Sequence, residues 1–204
     1  MKLDPENLSA SDTHELLTAT IAPRPIAFVS TVGEDGVYNL APFSLFNAIC
    51  VKPSLVGFSI APGREGRKKD TLQNIEATGE FVLNVVSEDI AQAMNQASYA
   101  YPSEVDEFKE VGLTPLKADL VRAPMVAESL INLECRLQNI LELGEAPAIT
   151  SFVIGEVLRL HVKDELYAGG NIEMSRLKTI GRLGGELYCR TRDIFEMKRP
   201  YPYV

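Results

Sequence analysis

The sequence of 204 residues predicts a mainly β protein with helical excursions, built as an antiparallel barrel of about six strands. Segments rich in β-branched and aromatic residues recur at 26–32, 37–41, 55–61, 81–86, 131–137, 152–162 and 186–189. Most of them follow one another without the crossover helix that a parallel pair requires. No G-x-G-x-x-G motif is present, which argues against a doubly wound dinucleotide-binding sheet.

Two capping-box patterns mark helix starts. Asp12 and Glu15 predict a short helix with Asp12 as its N-cap. Asp70 and Gln73 form the second pattern and predict a helix that Gly79 ends. These helices would interrupt the β pattern at two places without changing the fold class.

Glycines and prolines divide the rest of the chain. Gly36 supplies the turn of a hairpin between the first two strands, because glycine tolerates a positive φ. A short amphipathic helix is expected from Ser87, and residues 95–123 read as an excursion of short helix and loop packed on the barrel. Gly155, inside a long apolar strand, indicates a bulge or a close backbone approach.

The charge of the chain limits its partners. A net charge of −8 and a pI near 4.9 disfavour nucleic-acid binding, because a phosphate backbone repels such a surface. The N-terminus lacks the basic stretch and apolar run of a signal peptide, and no segment has the apolar length of a spanning helix. We therefore expect a cytoplasmic protein that binds neither nucleic acid nor membranes.

The cysteines, the histidines and the glutamates within strands are not expected to take part in catalysis or metal binding. The three cysteines, Cys50 among them, are widely spaced and are expected as reduced thiols in or beside the core. His14 and His161 are too far apart in sequence to suggest a His-rich metal site. Glu134 and Glu156 fall in strands, where an outward-facing carboxylate is expected.

A basic turn precedes the second helix. Arg64, Arg67, Lys68 and Lys69 stand together in an otherwise acidic chain, and Thr71 follows in the first helical turn. Helix N-termini bind anions through free N–H groups, so this segment is a candidate phosphate cradle. The alternative is a solvated basic loop beside a helix start.

Residues 39–47 mix apolar side chains, one proline and small polar groups after a hairpin strand. Pro42 has no N–H, so the chain is expected to leave the ladder there. Freed backbone groups could bind the polar edge of a flat heterocycle, with Phe43 or Phe46 covering a face. The alternative is an ordinary strand exit with two core phenylalanines.

Together these segments resemble the flavin-reductase-like FMN-binding split barrels, most closely the branch that contains the reductase component of nitrilotriacetate monooxygenase and flavoredoxin. The resemblance runs from about residue 20 to residue 200, and we treat residues 1–204 as a single domain. It is carried by these segments: Arg24-Pro25-Ile26-Ala27-Phe28-Val29-Ser30-Thr31, Asn39-Leu40-Ala41-Pro42-Phe43-Ser44, Lys69-Asp70-Thr71, Gly79-Glu80-Phe81-Val82-Leu83-Asn84, Val105-Asp106-Glu107-Phe108, Ile154-Gly155-Glu156-Val157 and Arg182-Leu183-Gly184-Gly185.

The resemblance implies a six-stranded antiparallel Greek-key split barrel that forms a homodimer, with FMN near the subunit interface. Side chains implied to line the isoalloxazine and ribityl chain are Ser30, Thr31, Asn39, Ala41, Pro42 and Ser44. Those implied to approach the phosphate are Ser59, Arg64, Lys69 and Thr71. Arg24 and Arg182 are implied as contacts of second rank. Some relatives carry a histidine near the flavin where this chain has Thr150, so no role for a histidine transfers.

The implied activity is hydride transfer from NAD(P)H to flavin, with reduced FMN passing to a partner monooxygenase or another acceptor. Two alternatives stay open: an electron carrier that holds FMN tightly, like flavoredoxin, and an FMN-binding module without turnover. In each case the redox chemistry belongs to the flavin, and the protein binds, orients and shields it.

Overall fold

The computed structural model describes residues 1–63, 66–146, 148–198 and 200. Its strands are β1 (Ala27–Val32), β2 (Tyr38–Phe43), β3 (Phe46–Cys50), β4 (Leu55–Ile60), β5 (Glu80–Val85), β6 (Pro115–Leu116), β7 (Met125–Val126), β8 (Ile131–Leu143), β9 (Thr150–Val162), β10 (Tyr167–Ala168), β11 (Asn171–Ile172), β12 (Ile180–Arg182) and β13 (Tyr188–Arg190). Its α-helices are α1 (Ala10–Thr20), α2 (Asp70–Thr78), α3 (Ala91–Gln96), α4 (Glu107–Val111) and α5 (Met174–Leu177).

The main sheet has the strand order β2-β1-β5-β8-β9-β4-β3, and every pair in it is antiparallel. Its two edge strands, β2 and β3, are separated in sequence only by Ser44 and Leu45. So short a connection spans about 10 Å at most, and the two edges must therefore approach each other. The rings of Phe43 and Phe58, on β2 and β4, lie 5.3 Å apart where the edges approach. The predicted antiparallel split barrel is confirmed.

The main sheet contains one more strand than expected. Six of its strands correspond to predicted segments, and the seventh, β3, lies in the segment interpreted as a strand exit. The expectation that Pro42 ends the pairing is wrong, since Pro42 stays in register opposite Phe28 and β2 continues to Phe43. β2 is an edge strand, where the missing N–H of proline need not break a ladder hydrogen bond.

The first predicted helix starts earlier than expected, whereas the second starts at Asp70 as predicted. Helix α1 is capped by Ser9, whose hydroxyl accepts a hydrogen bond from the Asp12 N–H, so Asp12 lies inside the first turn. Helix α2 begins at Asp70 with Lys69 as its N-cap, and Gly79 ends it as predicted, with φ of 69°. In both cases the acidic residue adds favourable charge to the first turn instead of capping it.

The core has two main parts, one on each face of the sheet. Inside the barrel, Phe58, Phe81 and Val153 pack with Leu72 and Ile75 of α2, which covers one end. On the outer face of β1 and β2, buried apolar side chains pack against α3 and α4, and the expected excursion supplies both the helix α4 and the β6–β7 pair. This arrangement brings α2, β1, β2 and α4 together.

Gly155 confirms the expected close backbone approach. A Cβ built on it would lie 2.3 Å from Cζ of Phe81, which is fully buried. The glycine therefore makes room for an aromatic ring in the barrel interior.

Two expectations about single side chains are wrong. Cys50 is exposed on the edge strand β3, whereas Cys135 is buried as expected. Glu134, expected to face solvent, is fully buried. Among the described residues, no helix has the length and apolar character needed to cross a membrane.

Candidate functional site

The first turn of α2 is open to an acceptor. Its N-cap, Lys69, makes no side-chain hydrogen bond to the turn, while the N–H groups of Leu72 and Gln73 donate to the Lys69 carbonyl at 2.9 and 3.1 Å. Helix geometry directs the earlier N–H groups outward along the axis, where the Asp70 N–H donates to the carboxylate of Asp70 itself and the Thr71 N–H faces the helix end. Such a helix end attracts anions.

Lys69 adds a positive charge at this turn. Its Nζ lies 5.5 Å from the centroid of the Phe43 ring, which belongs to β2. Desolvation lowers the pKa of Lys69, although the residue as a whole is exposed. The preceding turn closes through the Gly63 N–H, which donates to the Arg67 carbonyl at 2.8 Å. Lys69 is itself the N-cap of α2, so this cation belongs to the residue from which the helix starts.

A buried chain of polar side chains joins α2 to the sheet and to α4. Asn74 Nδ2 donates to Thr31 Oγ1 at 3.0 Å, and Thr31 Oγ1 donates to Asn39 Oδ1 at 3.2 Å. Thr71 Oγ1 donates to the same Asn39 oxygen at 2.7 Å, and Asn39 Nδ2 donates to Glu107 Oε1 at 2.8 Å. Three predicted site residues, Thr31, Asn39 and Thr71, are thus in direct contact.

Glu107 ends this chain. Its second carboxylate oxygen accepts the Leu40 N–H of β2 at 3.1 Å, so one side chain satisfies a backbone donor on the strand edge and the amide of Asn39. Burial raises the pKa of Glu107 to about 7, although these hydrogen bonds favour its anion, and the nearby charge of Asp70 raises it further. Glu107 is 6 % exposed.

A cavity of about 410 Å³ borders this chain. Its lining residues are mostly acidic or amide-bearing and come from the β1–β2 hairpin, α2 and α4: Glu34, Asp35, Asn39, Asp70, Gln73, Asn74 and Glu107. An anion would be repelled there. The cavity adjoins the first turn of α2 through Asp70, and its acidic lining contrasts with the ammonium of Lys69.

Ser30 faces away from Thr31, because adjacent strand residues point to opposite faces. Its hydroxyl donates to the Pro124 carbonyl and accepts from Asn84 Nδ2 at 3.0 Å. Ser30 is fully buried. Its hydroxyl is thus committed to the packing of β1, β5 and the segment before β7.

The other predicted ring-lining residues follow β2. Ala41 packs against the barrel core, and Pro42 and Ser44 are half-buried. Ser59 of β4 is linked to the same region, since its N–H donates to the Leu45 carbonyl at 2.9 Å. Ser44 and Ser59 are thereby brought close at the junction of the two sheet edges.

Arg24 and Arg182, the arginines implied as secondary flavin contacts, lie in a different part of the structure. Their backbones pair with each other, with both N–H···O distances at 2.9 Å. The Arg24 guanidinium is buried and donates to carbonyls of Thr18, Ile21 and Leu183, which ties α1 to the β12 segment. Burial lowers the pKa of Arg24.

Arg182 packs over the ring of Tyr188 at 4.5 Å, and the Tyr188 hydroxyl donates to Asn95 Oδ1 at 3.2 Å. Neither arginine makes a side-chain hydrogen bond to the polar chain at Asn39 among the contacts described. The predicted residue Arg64 lies outside the described residues.

Sequence reasoning assigned no role to Glu107 or Asn74. The signal for Glu107 was its place between a capping Asp106, whose carboxylate accepts the Phe108 N–H at 3.1 Å, and the fully buried Phe108. A carboxylate next to a buried aromatic on so short a helix has little room to reach solvent. Its partner on β2 could not be read from the sequence.

A second buried carboxylate lies on β8. Glu134 accepts the backbone N–H groups of Asp119, Leu120 and Val121 at 3.2, 2.5 and 3.1 Å, and its Oε1 lies 2.6 Å from His161 Nε2. Burial alone would raise the pKa of Glu134, but the hydrogen bonds from His161 and the turn outweigh it and lower the pKa.

The side chains of Asp119, Glu134 and His161 offer metal-ligand atoms within 4.8 Å of one another. The 2.6 Å separation of His161 from Glu134 is a hydrogen-bond distance, whereas two ligands of one tetrahedral zinc lie about 3.3 Å apart. Asp119 is also paired with Arg159 at 2.6 Å. The group is therefore a hydrogen-bonded clamp on the turn before β7.

Comparison with known proteins agrees with this architecture. The family described as flavin reductase like domain matches residues 19–175. A protein of Halalkalibacterium halodurans is 39 % identical over 203 residues, covering 98 % of this chain and 97 % of its own.

Two solved structures extend the comparison. Nitrilotriacetate monooxygenase component B from Bacillus cereus has a TM-score of 0.93 and 35 % identity, covering 97 % of this chain and 98 % of that one. The 2-nitrobenzoate 2-nitroreductase NbaA of Pseudomonas fluorescens has a TM-score of 0.89 and 28 % identity, with full coverage of both chains. The chain belongs to the flavin reductase-like family.

Proposed function

We propose that this protein binds FMN and transfers hydride from NAD(P)H to it, so that reduced flavin can serve a partner monooxygenase or another acceptor. The observation that carries the proposal is the uncapped, cationic first turn of α2, next to the edge strand β2 of a flavin reductase-like fold. This is a site for a phosphate beside a surface for a planar ring.

The first turn of α2 fits the FMN phosphate. The Thr71 N–H would donate to a phosphate oxygen, and the Lys69 ammonium would supply the charge. Lys69 is exposed, so its ammonium can reach an anion at the helix end without unfolding of the turn. Thr71 Oγ1 is already used as a donor to Asn39, so the backbone and Lys69 are the principal contacts.

The edge strand β2 fits the polar rim of the isoalloxazine. The Leu40 N–H points away from β1, toward Glu107, so the carbonyl groups of Leu40 and Pro42 face the same open side. Ser44 and Ser59 stand at the end of this side, near the seam between the sheet edges. The expectation that Phe43 covers the ring is not part of the proposal, since its side chain is 6 % exposed and packs in the core.

We also propose a homodimer that covers the outer face of the β3–β4–β9–β8 side of the sheet. Leu45, Ser59, Phe152 and Leu141 form one row across these strands, and Leu45 and Leu141 are 44 % and 43 % exposed. Apolar side chains in such a row favour burial against another surface. A second copy there would adjoin the predicted flavin residue Ser59.

Flavin supplies the redox chemistry when it is bound, and a nicotinamide is the hydride donor. The protein groups bind the phosphate, orient the ring against β2 and exclude water from one face. No proton-transferring side chain is required for that step. This account uses no Rossmann site, which agrees with the antiparallel topology.

The deciding experiment is an absorbance spectrum of the purified protein with FMN, followed under anaerobic conditions by NADH and then by NADPH. Bleaching of the flavin band at a rate well above that of free FMN would support the reductase and identify the donor. Flavin binding without bleaching would reject the reductase in favour of a carrier or a binding module. Absence of flavin binding would reject the proposal altogether.

A variant tests the phosphate site separately. Lys69→Ala should weaken FMN binding by about tenfold to a hundredfold, the usual value of a charge-assisted hydrogen bond. Lys117→Ala, which removes an exposed lysine from the β6–β7 segment, is the matched control. Equal dissociation constants for the two variants, measured by flavin fluorescence, would contradict this assignment.

A second candidate is reduction of a small electrophile by flavin that stays bound. The nitroreductase NbaA, at 28 % identity over the whole chain, is the observation in its favour. Flavin that remains bound through gel filtration, together with NAD(P)H oxidation that depends on 2-nitrobenzoate, would favour this candidate over release of reduced FMN.

A further inference from the structure

The hydrogen bonds of the polar side chains beside α2 all run in one donor-to-acceptor sense. Asn74 donates to Thr31, Thr31 and Thr71 both donate to Asn39 Oδ1, and Asn39 donates to Glu107. Each hydroxyl has one hydrogen and the amide has one carbonyl oxygen, so turning over the Asn39 amide makes both hydroxyls accept from it instead of donating to it.

Glu107 sets this direction. An ionised carboxylate can only accept, and both of its oxygens face donors, Asn39 Nδ2 and the Leu40 N–H. Asn39 must therefore turn its NH₂ toward Glu107 and its oxygen toward Thr71. The hydrogen of the Thr71 hydroxyl is then used in the bond to Asn39, and Thr71 is 1 % exposed.

The charges around Glu107 oppose its ionisation. Those that line the same cavity are acidic and come from α2 and the β1–β2 hairpin: Asp70, Glu34 and Asp35. Glu104, in the segment before α4, adds negative charge near Asp70. On its own helix, Asp106 is paired with Lys109 at 3.1 Å. Burial and Asp70 raise the pKa of Glu107 to about 7, so both of its states are populated near neutral pH.

A neutral side chain at position 107 permits the opposite arrangement. Its donor can bond Asn39 Oδ1 once the amide has turned over, while its carbonyl oxygen still accepts the Leu40 N–H. Asn39 then offers N–H to Thr71, whose hydroxyl only accepts. The hydrogen of that hydroxyl is then free to turn away from Asn39 and to donate to another acceptor.

We propose that Glu107 is a positioning residue that controls flavin affinity: as an anion it withholds the Thr71 hydroxyl from the phosphate, and in its neutral form it releases that donor. The inference rests on the proposed function, since it requires FMN phosphate at the first turn of α2. Release of the Thr71 donor and loss of the negative charge on Glu107 should both strengthen binding of the phosphate.

The test compares dissociation constants of FMN and riboflavin from pH 6 to pH 8.5 for the wild type and for Glu107→Gln, which mimics the neutral acid. At pH 8.5 the variant should bind FMN about tenfold more tightly than the wild type, the value of one charge-assisted hydrogen bond. The two proteins should converge toward pH 6. Riboflavin, which lacks the phosphate, should bind equally to both.

Glu110→Gln is the matched control, because it removes an exposed carboxylate from the same helix. At each pH its dissociation constant for FMN should equal that of the wild type. In the Glu107→Gln background, Thr71→Val should remove most of the gain in FMN affinity, because only the contribution of the lost charge is left. A gain that survives Thr71→Val undiminished would reduce the effect to charge alone and overturn the role of the hydroxyl.

The outcomes separate the two proposals. If the wild type binds no FMN, the proposed function fails and this inference fails with it. If the wild type binds FMN but Glu107→Gln gives a parallel pH profile, only the inference is overturned. If the variant does not fold, the wild type decides: an FMN affinity that stays constant between pH 7 and pH 8.5, where the phosphate is already a dianion, overturns the inference.

Discussion

The ionisation of Glu107 should make the unliganded protein less stable as the pH rises, and Glu107→Gln should remove that dependence. The pKa of Glu107 is raised from 4.5 to about 7 in the folded state by burial, with a further contribution from Asp70. A carboxyl group with a raised pKa favours folding while it is protonated. Its contribution is therefore complete below the unfolded pKa and is lost as the pH rises through the folded pKa.

The magnitude follows from the two pKa values. One pKa unit corresponds to about 1.4 kcal/mol, so a rise of about 2.5 units gives a total of about 3.4 kcal/mol, of which about 2.5 kcal/mol is lost between pH 5 and pH 8.5. Glu107→Gln also changes the hydrogen bonds to Asn39 and Leu40. That change adds a constant offset, which cancels when each protein is compared with itself at the two pH values.

The assay is urea unfolding of both proteins without flavin at pH 5 and at pH 8.5, followed by far-UV circular dichroism. The free energy of unfolding of the wild type should fall by about 2.5 kcal/mol more than that of the variant between these pH values. If the unfolding free energies of the two proteins change by the same amount, within about 0.5 kcal/mol, the raised pKa of Glu107 is refuted. The basis for a switch at this position is then refuted as well.

Three further predictions concern the framework around the site. Glu134→Gln should cost at least about 2 kcal/mol of unfolding free energy by urea titration, because the amide cannot accept all the donors of the turn; a loss below about 0.5 kcal/mol would contradict the buried clamp. Gly155→Ala should lower stability by about 1–3 kcal/mol, since the added methyl meets the ring of Phe81, and an unchanged melting temperature would show that the ring can move. Cys135 should resist a thiol reagent at pH 8 until the protein is unfolded, because burial excludes the reagent and raises the pKa of the thiol; rapid labelling of the folded protein at that cysteine would disprove its burial.

The sequence predicted most of the barrel because its strands carry local signals. Six of the seven strands of the main sheet coincide with apolar, β-branched segments, and Gly79 ended α2 where the pattern placed the end. The strand β3 was missed because four of its five residues are exposed and show no alternation of burial. Pro42 was misinterpreted because the rule for proline depends on whether a strand lies at the edge, and edge position is a property of the assembled sheet.

The candidate site was only partly predictable for the same reason. Lys69, Thr71, Asn39 and Thr31 were identified from the resemblance to a family, and the fold brings the last three into hydrogen-bond contact. Whether they and the remaining predicted residues contact flavin stays a prediction. The role of Glu107 was not predicted, because its partners on β2 are nearly 70 residues away in sequence, at a separation of 68 for Asn39.

By itself, the sequence determined the class of fold, the succession of strands and the basic turn before α2, since these depend on neighbouring residues and on the period of the pattern. Only the tertiary structure decided which carboxylates are buried, which hydroxyls face one another and which strand forms an edge. Burial and hydrogen bonding depend on segments distant in the chain, and the pKa values of Glu107 and Glu134 depend mainly on those surroundings.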